Sequence, residues 1–184
     1  MKTKKLSTQT ITLIAVFTAL LAIFSQIAIP LPTGVPATLQ TFGIALMAYI
    51  LKTKKATATI ILYLLCGLVG IPVFAGFSSG PASFFGKAGG FLYGFIFMAI
   101  LCGLASETTS NWKRIVLSAL GLIACHLCGV LQFAFLMHIS IVSSIVLVSL
   151  PFLLKDAISM ICAFALALLV RKALSQSGIH LETI

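Results

Sequence analysis

An all-α integral membrane protein is the fold class that three observations predict. First, the 184 residues are 60% hydrophobic and only 8% charged, with a mean hydropathy of +1.20, where a soluble domain carries about a quarter charged residues. So little polar surface cannot cover a chain in water, and its solvent is lipid. Second, the apolar residues fall in long runs divided by short breaks. At roughly 20 apolar residues per span, the chain has room for about six transmembrane helices. Third, the basic residues stand in clusters of two or three at the ends of the runs, where lysine and arginine set topology and meet anionic headgroups. Residues 1–184 therefore read as a single transmembrane domain.

Lys2, Lys4 and Lys5 precede a first span over Thr10 to Ile29, read as a retained helix because no cleavage site follows it. Ala15, Ala19 and Ala22 form a stripe of small residues on it. Such a stripe suits close approach of another helix in lipid, and equally suits plain helix propensity. Pro30 to Pro36 holds three prolines and a glycine among its uncharged residues, so it breaks the helix and lies at the interface or folds back. A second helix covers Thr38 to Leu51, Lys52-Thr53-Lys54-Lys55 marks a boundary, and a third span runs from Ala56 to Val69.

Val73 to Gly90 mixes glycine, serine and aromatic residues around Lys87. A loop of this length and so little charge reads as a lid or binding loop rather than a solvated connector. The fourth span covers Phe91 to Ala105, and Trp112-Lys113-Arg114 anchors the next connection at the interface. The fifth span, Ile115 to Met137, carries His126, expected to bond a neighbouring backbone group rather than a ligand. His138 to Leu150 reads as a short helix or packed crossover, and Leu154 to Val170 as the sixth span, closed by Arg171-Lys172.

An even number of spans puts both termini on one side. With the N-terminus in the cytoplasm, Lys2, Lys4, Lys5, Lys52, Lys54, Lys55, Lys113, Arg114, Arg171 and Lys172 fall inside, against only Lys87 and Lys155 outside. That asymmetry predicts a multi-pass protein of the cytoplasmic membrane with its N-terminus inside. It also argues that the net charge of +9 is a topology and lipid signal rather than a nucleic-acid surface, since no basic face carries stacking aromatics.

The same count places the glycine-rich loop and the Lys155-Asp156 pair on the outer side. Asp156 is the only acid inside an apolar run; Glu107 and Glu182 lie in a connection and in the tail. An ionisable residue in a membrane segment points to function. Asp156 can accept hydrogen bonds from a ligand, Lys87 or Lys155 can neutralise a ligand carboxylate, and Ser159 lies one turn along from Lys155. The competing reading is an interfacial pair that snorkels to headgroups. Cys125 and Cys128 flank His126, but no second ligand pair completes a tetrahedron, so the cysteines read as packing residues, with no metal and no cofactor. Pro81 to Ala88 imitates a phosphate-binding loop and fails it: Gly80 comes one residue early and Ala88 stands at the hydroxyl position. Acids are too few for paired-carboxylate catalysis, and no enzyme is expected.

Several stretches resemble one family. Pro36-Ala37-Thr38-Leu39-Gln40-Thr41-Phe42 is similar to the P-x-T-L-Q-T-F signature of the BioY family, and Gly67 to Gly76 to its G-x-x-G-x-P-V-F-A-G. Gly86 to Phe95 resembles its G-P-T-G-G-Y-L-x-G-F, and Pro151-Phe152 with Asp156 its P-F-x-x-G-D-x-x-K. The resemblance implies an S-component of an energy-coupling-factor (ECF) transporter: six helices and an outward site under a loop lid. It also implies high-affinity capture of biotin, with a transmembrane T-component and two ATP-binding cassette ATPases as partners. On that reading Ala15, Ala19 and Ala22 dock the T-component. Asp156, aided by Ser79 and Gln40, holds the ureido group, Gly80 joins the site, and Phe77, Phe85 and Tyr93 enclose the rings.

Two departures stand out. Ser159 replaces the family's lysine, and Lys87-Ala88 replaces Pro-Thr. The expectation is that Lys87 or Lys155 takes over the ligand carboxylate. The departures leave open a biotin relative or precursor as substrate, or a membrane assembly protein that no longer binds ligand.

Overall fold

The computed structural model describes residues 7–176; Lys2, Lys4, Lys5 and Glu182 lie outside them. The Ser7 hydroxyl accepts the Thr10 N–H and opens helix α1 (Thr8–Gln26), as an N-cap serine does. The helix stops three residues short of the predicted Ile29. Ala28–Ile29 instead forms β1, which pairs antiparallel with β2 (Ala37–Thr38). The proline-rich segment is thus the loop of a small hairpin, because a residue before proline is pushed out of the helical region.

Helix α2 (Gln40–Leu68) is broken at Lys52, whose backbone has φ 64° and ψ 178°. The chain reverses there. The Gln40 amide donates to the Tyr63 hydroxyl at 2.8 Å, although along a straight helix those residues would stand about 34 Å apart. The two arms are the predicted second and third helices, folded back on each other. A lysine in this backbone region costs on the order of 1–3 kcal/mol and persists only where its surroundings fix it. The Thr53 N–H donates to the Glu107 carboxylate at 3.1 Å, and Arg171 donates to the Tyr49 carbonyl at 3.3 Å. One loose backbone group on each arm is thus satisfied beside the break.

The Val73 to Gly90 loop is more structured than expected. It contains a single 3-10 turn at Ala75–Phe77 and helix α3 (Pro81–Phe85). Pro81 at the start of α3 suits a first helical turn, but five residues are too few to show periodicity in a sequence. Next come α4 (Gly89–Glu107), α5 (Asn111–Met137), α6 (Ile141–Val148) and α7 (Leu150–Gln176). Among the described residues, α1, α4, α5 and α7 are long and apolar enough to cross a membrane. Every residue from Gly43 to Leu51 is buried, so the first arm of α2 is the axis on which the others pack.

Helix α4 lies against α5 through glycines. A Cβ on Gly90 would sit 2.2 Å from the Cys128 carbonyl oxygen, and one on Gly94 would sit 2.7 Å from the Cys125 Cα. Close packing takes the place of water as the driving force here, and the cysteines are the small partners it needs. Among the described residues, no cluster of histidine, cysteine and acid could hold a metal. Gly94→Val is expected to lower the thermal midpoint in detergent by several degrees or more, the scale of overpacking a tight core. Ile161→Ala, on an outer face with 71% exposure, should leave the midpoint within about a degree; equal effects would refute this packing account.

Candidate functional site

Asp156 sits about 9 Å into α7 by helical rise, not at its mouth. The helix begins at Leu150 rather than Leu154, because Pro151 fits its first turn, where a missing N–H costs nothing. The carboxylate is 6% exposed and gathers partners from three helices. Thr41 of α2 donates its hydroxyl to Oδ1 at 2.5 Å, His126 of α5 lies 3.1 Å from Oδ2, and the Lys155 ammonium pairs with Oδ1. His126 Nδ1 lies 2.9 Å from the Ser149 hydroxyl. With a proton on Nε2 the ring donates to Asp156, and the Ser149 hydroxyl can either donate to Nδ1 or accept from it. Lys155 also donates to the Thr38 carbonyl at 2.7 Å and to the Thr41 hydroxyl at 3.3 Å.

Burying an acid is costly unless it is paired and hydrogen-bonded, and here it is both. The expectation for His126 is overturned: its partners are the side chains of Asp156 and Ser149, and its ring borders the cavity. No local signal could have shown this, since the contact joins residues 30 positions apart.

This charged knot forms part of the wall of a cavity of about 520 Å³, within the range of small-molecule sites. Gln40, Ser79, Lys87, Lys155 and Asp156 all line it, as do Thr38 and Thr41. The apolar wall comes from Phe74, Phe91, Phe95 and Phe152, with Phe91 edge-on to both His126 and Phe152. Phe91 and Phe95 are one turn apart on α4 and share a face, a spacing visible in the sequence.

Five expected site residues lie outside the lining. Phe77 sits in a left-handed backbone conformation (φ 57°) that turns it outward, 70% exposed. Phe85 ends α3 and is 73% exposed, because its neighbour Phe84 takes the buried side. Tyr93 packs against Phe84, with ring centroids 5.7 Å apart. Gly80, at φ 78°, starts α3 and donates its N–H to the Gly67 carbonyl at 2.7 Å. Ser159 is buried on α7 without reaching the cavity.

The segment from Phe74 to Ala88 closes one side of the cavity and is held by two glutamines. Gln26 of α1 donates to the Phe74 carbonyl and accepts the Phe77 N–H, both at 3.0 Å. Gln132 of α5 donates to the Phe84 and Gly86 carbonyls at 2.7 and 2.8 Å. A cavity with charged and aromatic walls, set among membrane helices beneath a strapped loop, defines a membrane solute-binding protein.

The comparisons agree with that class and narrow it. The BioY family profile matches residues 1–176. The biotin transporter BioY of Thermotoga maritima is 37% identical over 158 residues, covering 85% of this chain and 92% of that protein. The biotin transporter BioY2 of Lactococcus lactis is 35% identical over 170 residues, covering 91% and 93%. A crystal structure of the S-component for biotin from an ECF-type ABC transporter superposes with a TM-score of 0.80 at 28% identity, covering 91% of this chain and 95% of that one. This chain belongs to the BioY family, which is a family of transporters rather than enzymes.

The knot makes a direct prediction. Removing one member of a fully buried ion pair costs about 3–5 kcal/mol and of this part-buried one less, since Lys155 is 34% exposed, whereas replacing both members by apolar groups costs least. Asp156→Leu and Lys155→Met should each lower the thermal midpoint in detergent more than the double variant does. Additive losses would show that the two charges stand independently.

Proposed function

We propose that this chain captures biotin as the substrate-specific component of an ECF-type transporter. The observation that carries the proposal is the composition of the cavity wall: a polar, charged region beside four phenylalanines. Biotin presents matching chemistry, with two ureido N–H donors and a ureido oxygen, an apolar bicyclic body and a carboxylate tail. Membership of a family whose relatives are named biotin transporters supports it.

Asp156 accepts from a ureido N–H. Its two oxygens offer about four acceptor positions, and Thr41, His126 and Lys155 occupy three of them. The Ser79 hydroxyl, which has no hydrogen bond among the described residues, serves the ureido oxygen from the loop. Gln40 backs the site: its amide bonds Tyr63 and Thr38, fixing the start of α2 where Thr41 meets the carboxylate.

The cavity faces outward and the N-terminus lies in the cytoplasm. Lys87 and Lys155 line the cavity, whereas the break at Lys52 and the contacts of Glu107, Arg114 and Arg171 gather at the other ends of the same helices. The positive-inside tendency puts that second end in the cytoplasm. Helix α1 presents Ala15 and Ala19 on an exposed face, with Ala22 half-buried against the core. That face docks the T-component, and two ATP-binding cassette ATPases supply the energy.

Protein produced with biotin in the medium should retain it through purification. Asp156→Asn should weaken biotin binding at least tenfold, or about 1.4 kcal/mol, as titration calorimetry would measure. Wild-type protein that binds neither biotin nor its close analogues would end this reading. Ala15→Trp with Ala19→Trp should abolish co-purification with the T-component while leaving biotin affinity unchanged. Retained assembly would move the docking surface elsewhere.

A further inference from the structure

Two lysines border the cavity, and they are not equivalent. An ammonium group has three N–H donors. Those of Lys155 meet the Thr38 carbonyl at 2.7 Å, the Thr41 hydroxyl at 3.3 Å and the Asp156 carboxylate. Its donors are spent and its charge is balanced by Asp156. Lys87 differs on both counts: it has no hydrogen bond or ion pair among the described residues, so all three donors and a full charge remain available. Its chain lies over the hairpin loop, where a Cβ on Gly34 would come within 3.4 Å of its Cδ and 3.8 Å of its Nζ. Both Gly34 and Lys87 belong to the cavity wall.

Lys155 is paired with Asp156, whereas Lys87 has no partner among the described residues, so the unpaired cation of the cavity wall is Lys87. A site of that balance takes a monoanion. We infer that Lys87 is the residue that binds the ligand's carboxylate and makes this chain selective for the free acid, while Lys155 is a positioning residue that holds Asp156. The inference rests on the biotin reading above and assigns its carboxylate end. The Gly86-Lys87-Ala88 turn is held by Gln132 through the Gly86 carbonyl at 2.8 Å, so the ammonium is carried on a fixed backbone. An ammonium held at such a point favours an anion chiefly by charge rather than by bidentate shape.

The experiment compares biotin with biotin amide, which keeps the rings and loses the charge. Wild-type protein in detergent at about 0.1 M salt should bind biotin at least tenfold more tightly than the amide. In Lys87→Gln the affinity for biotin should fall by about that factor while the affinity for the amide stays unchanged, so the preference disappears. Lys155→Gln should weaken both ligands together and lower the thermal midpoint, because it strands the Asp156 charge. A Lys87→Gln variant that keeps the wild-type preference, or loses both ligands equally, overturns the assignment while leaving the biotin reading intact. Wild-type protein that binds neither compound overturns both.

Discussion

The structure depends on one buried carboxylate. Asp156 in α7 is reached by Thr41 of α2 and His126 of α5, with Lys155 beside it and Ser149 behind the histidine. In lipid the cost of a charge is high enough that its partners cannot drift, so the network fixes how three helices meet at one end of the bundle. Thr41, His126, Lys155 and Asp156 also form part of the cavity wall. The network that keeps the acid buried also leaves it one acceptor position to offer, and it uses up the donors of Lys155.

The rest of the bundle brings these residues together around a buried apolar core. The first arm of α2 is buried along its length from Gly43, and glycines on α4 let α5 approach close enough to carry His126 to the site. At the far end, Glu107 and Arg171 satisfy the reversal at Lys52. The loop over the cavity is held by the side-chain amides of Gln26 and Gln132. Such ties join side chains to backbone.

Much of this was legible in the sequence, and what was not has identifiable causes. Apolar runs and charge clusters placed the helices to within a turn or so, since lipid demands length and marks ends. Asp156 stood out because acids are rare in this chain. His126 and Thr41 could not be placed beside it, because a contact across 30 or 115 positions leaves no local pattern. The aromatic residues misled for a related reason: Phe77 and Phe85 sit in the right loop, but which face each takes depends on a left-handed backbone at one and a five-residue helix at the other. The two lysines looked interchangeable by position. Only the count of donors already engaged separates them.

On the proposed reading, the charged knot and the free lysine divide the cavity between the two polar ends of one ligand. A structure determined with biotin bound tests it most directly. The expected result is the ureido ring at Asp156, the rings among Phe91, Phe95 and Phe152, and the carboxylate within hydrogen-bonding distance of Lys87, about 3 Å, with the Lys155–Asp156 pair intact. A carboxylate on Lys155 with that pair broken, or biotin bound outside the cavity, would contradict it.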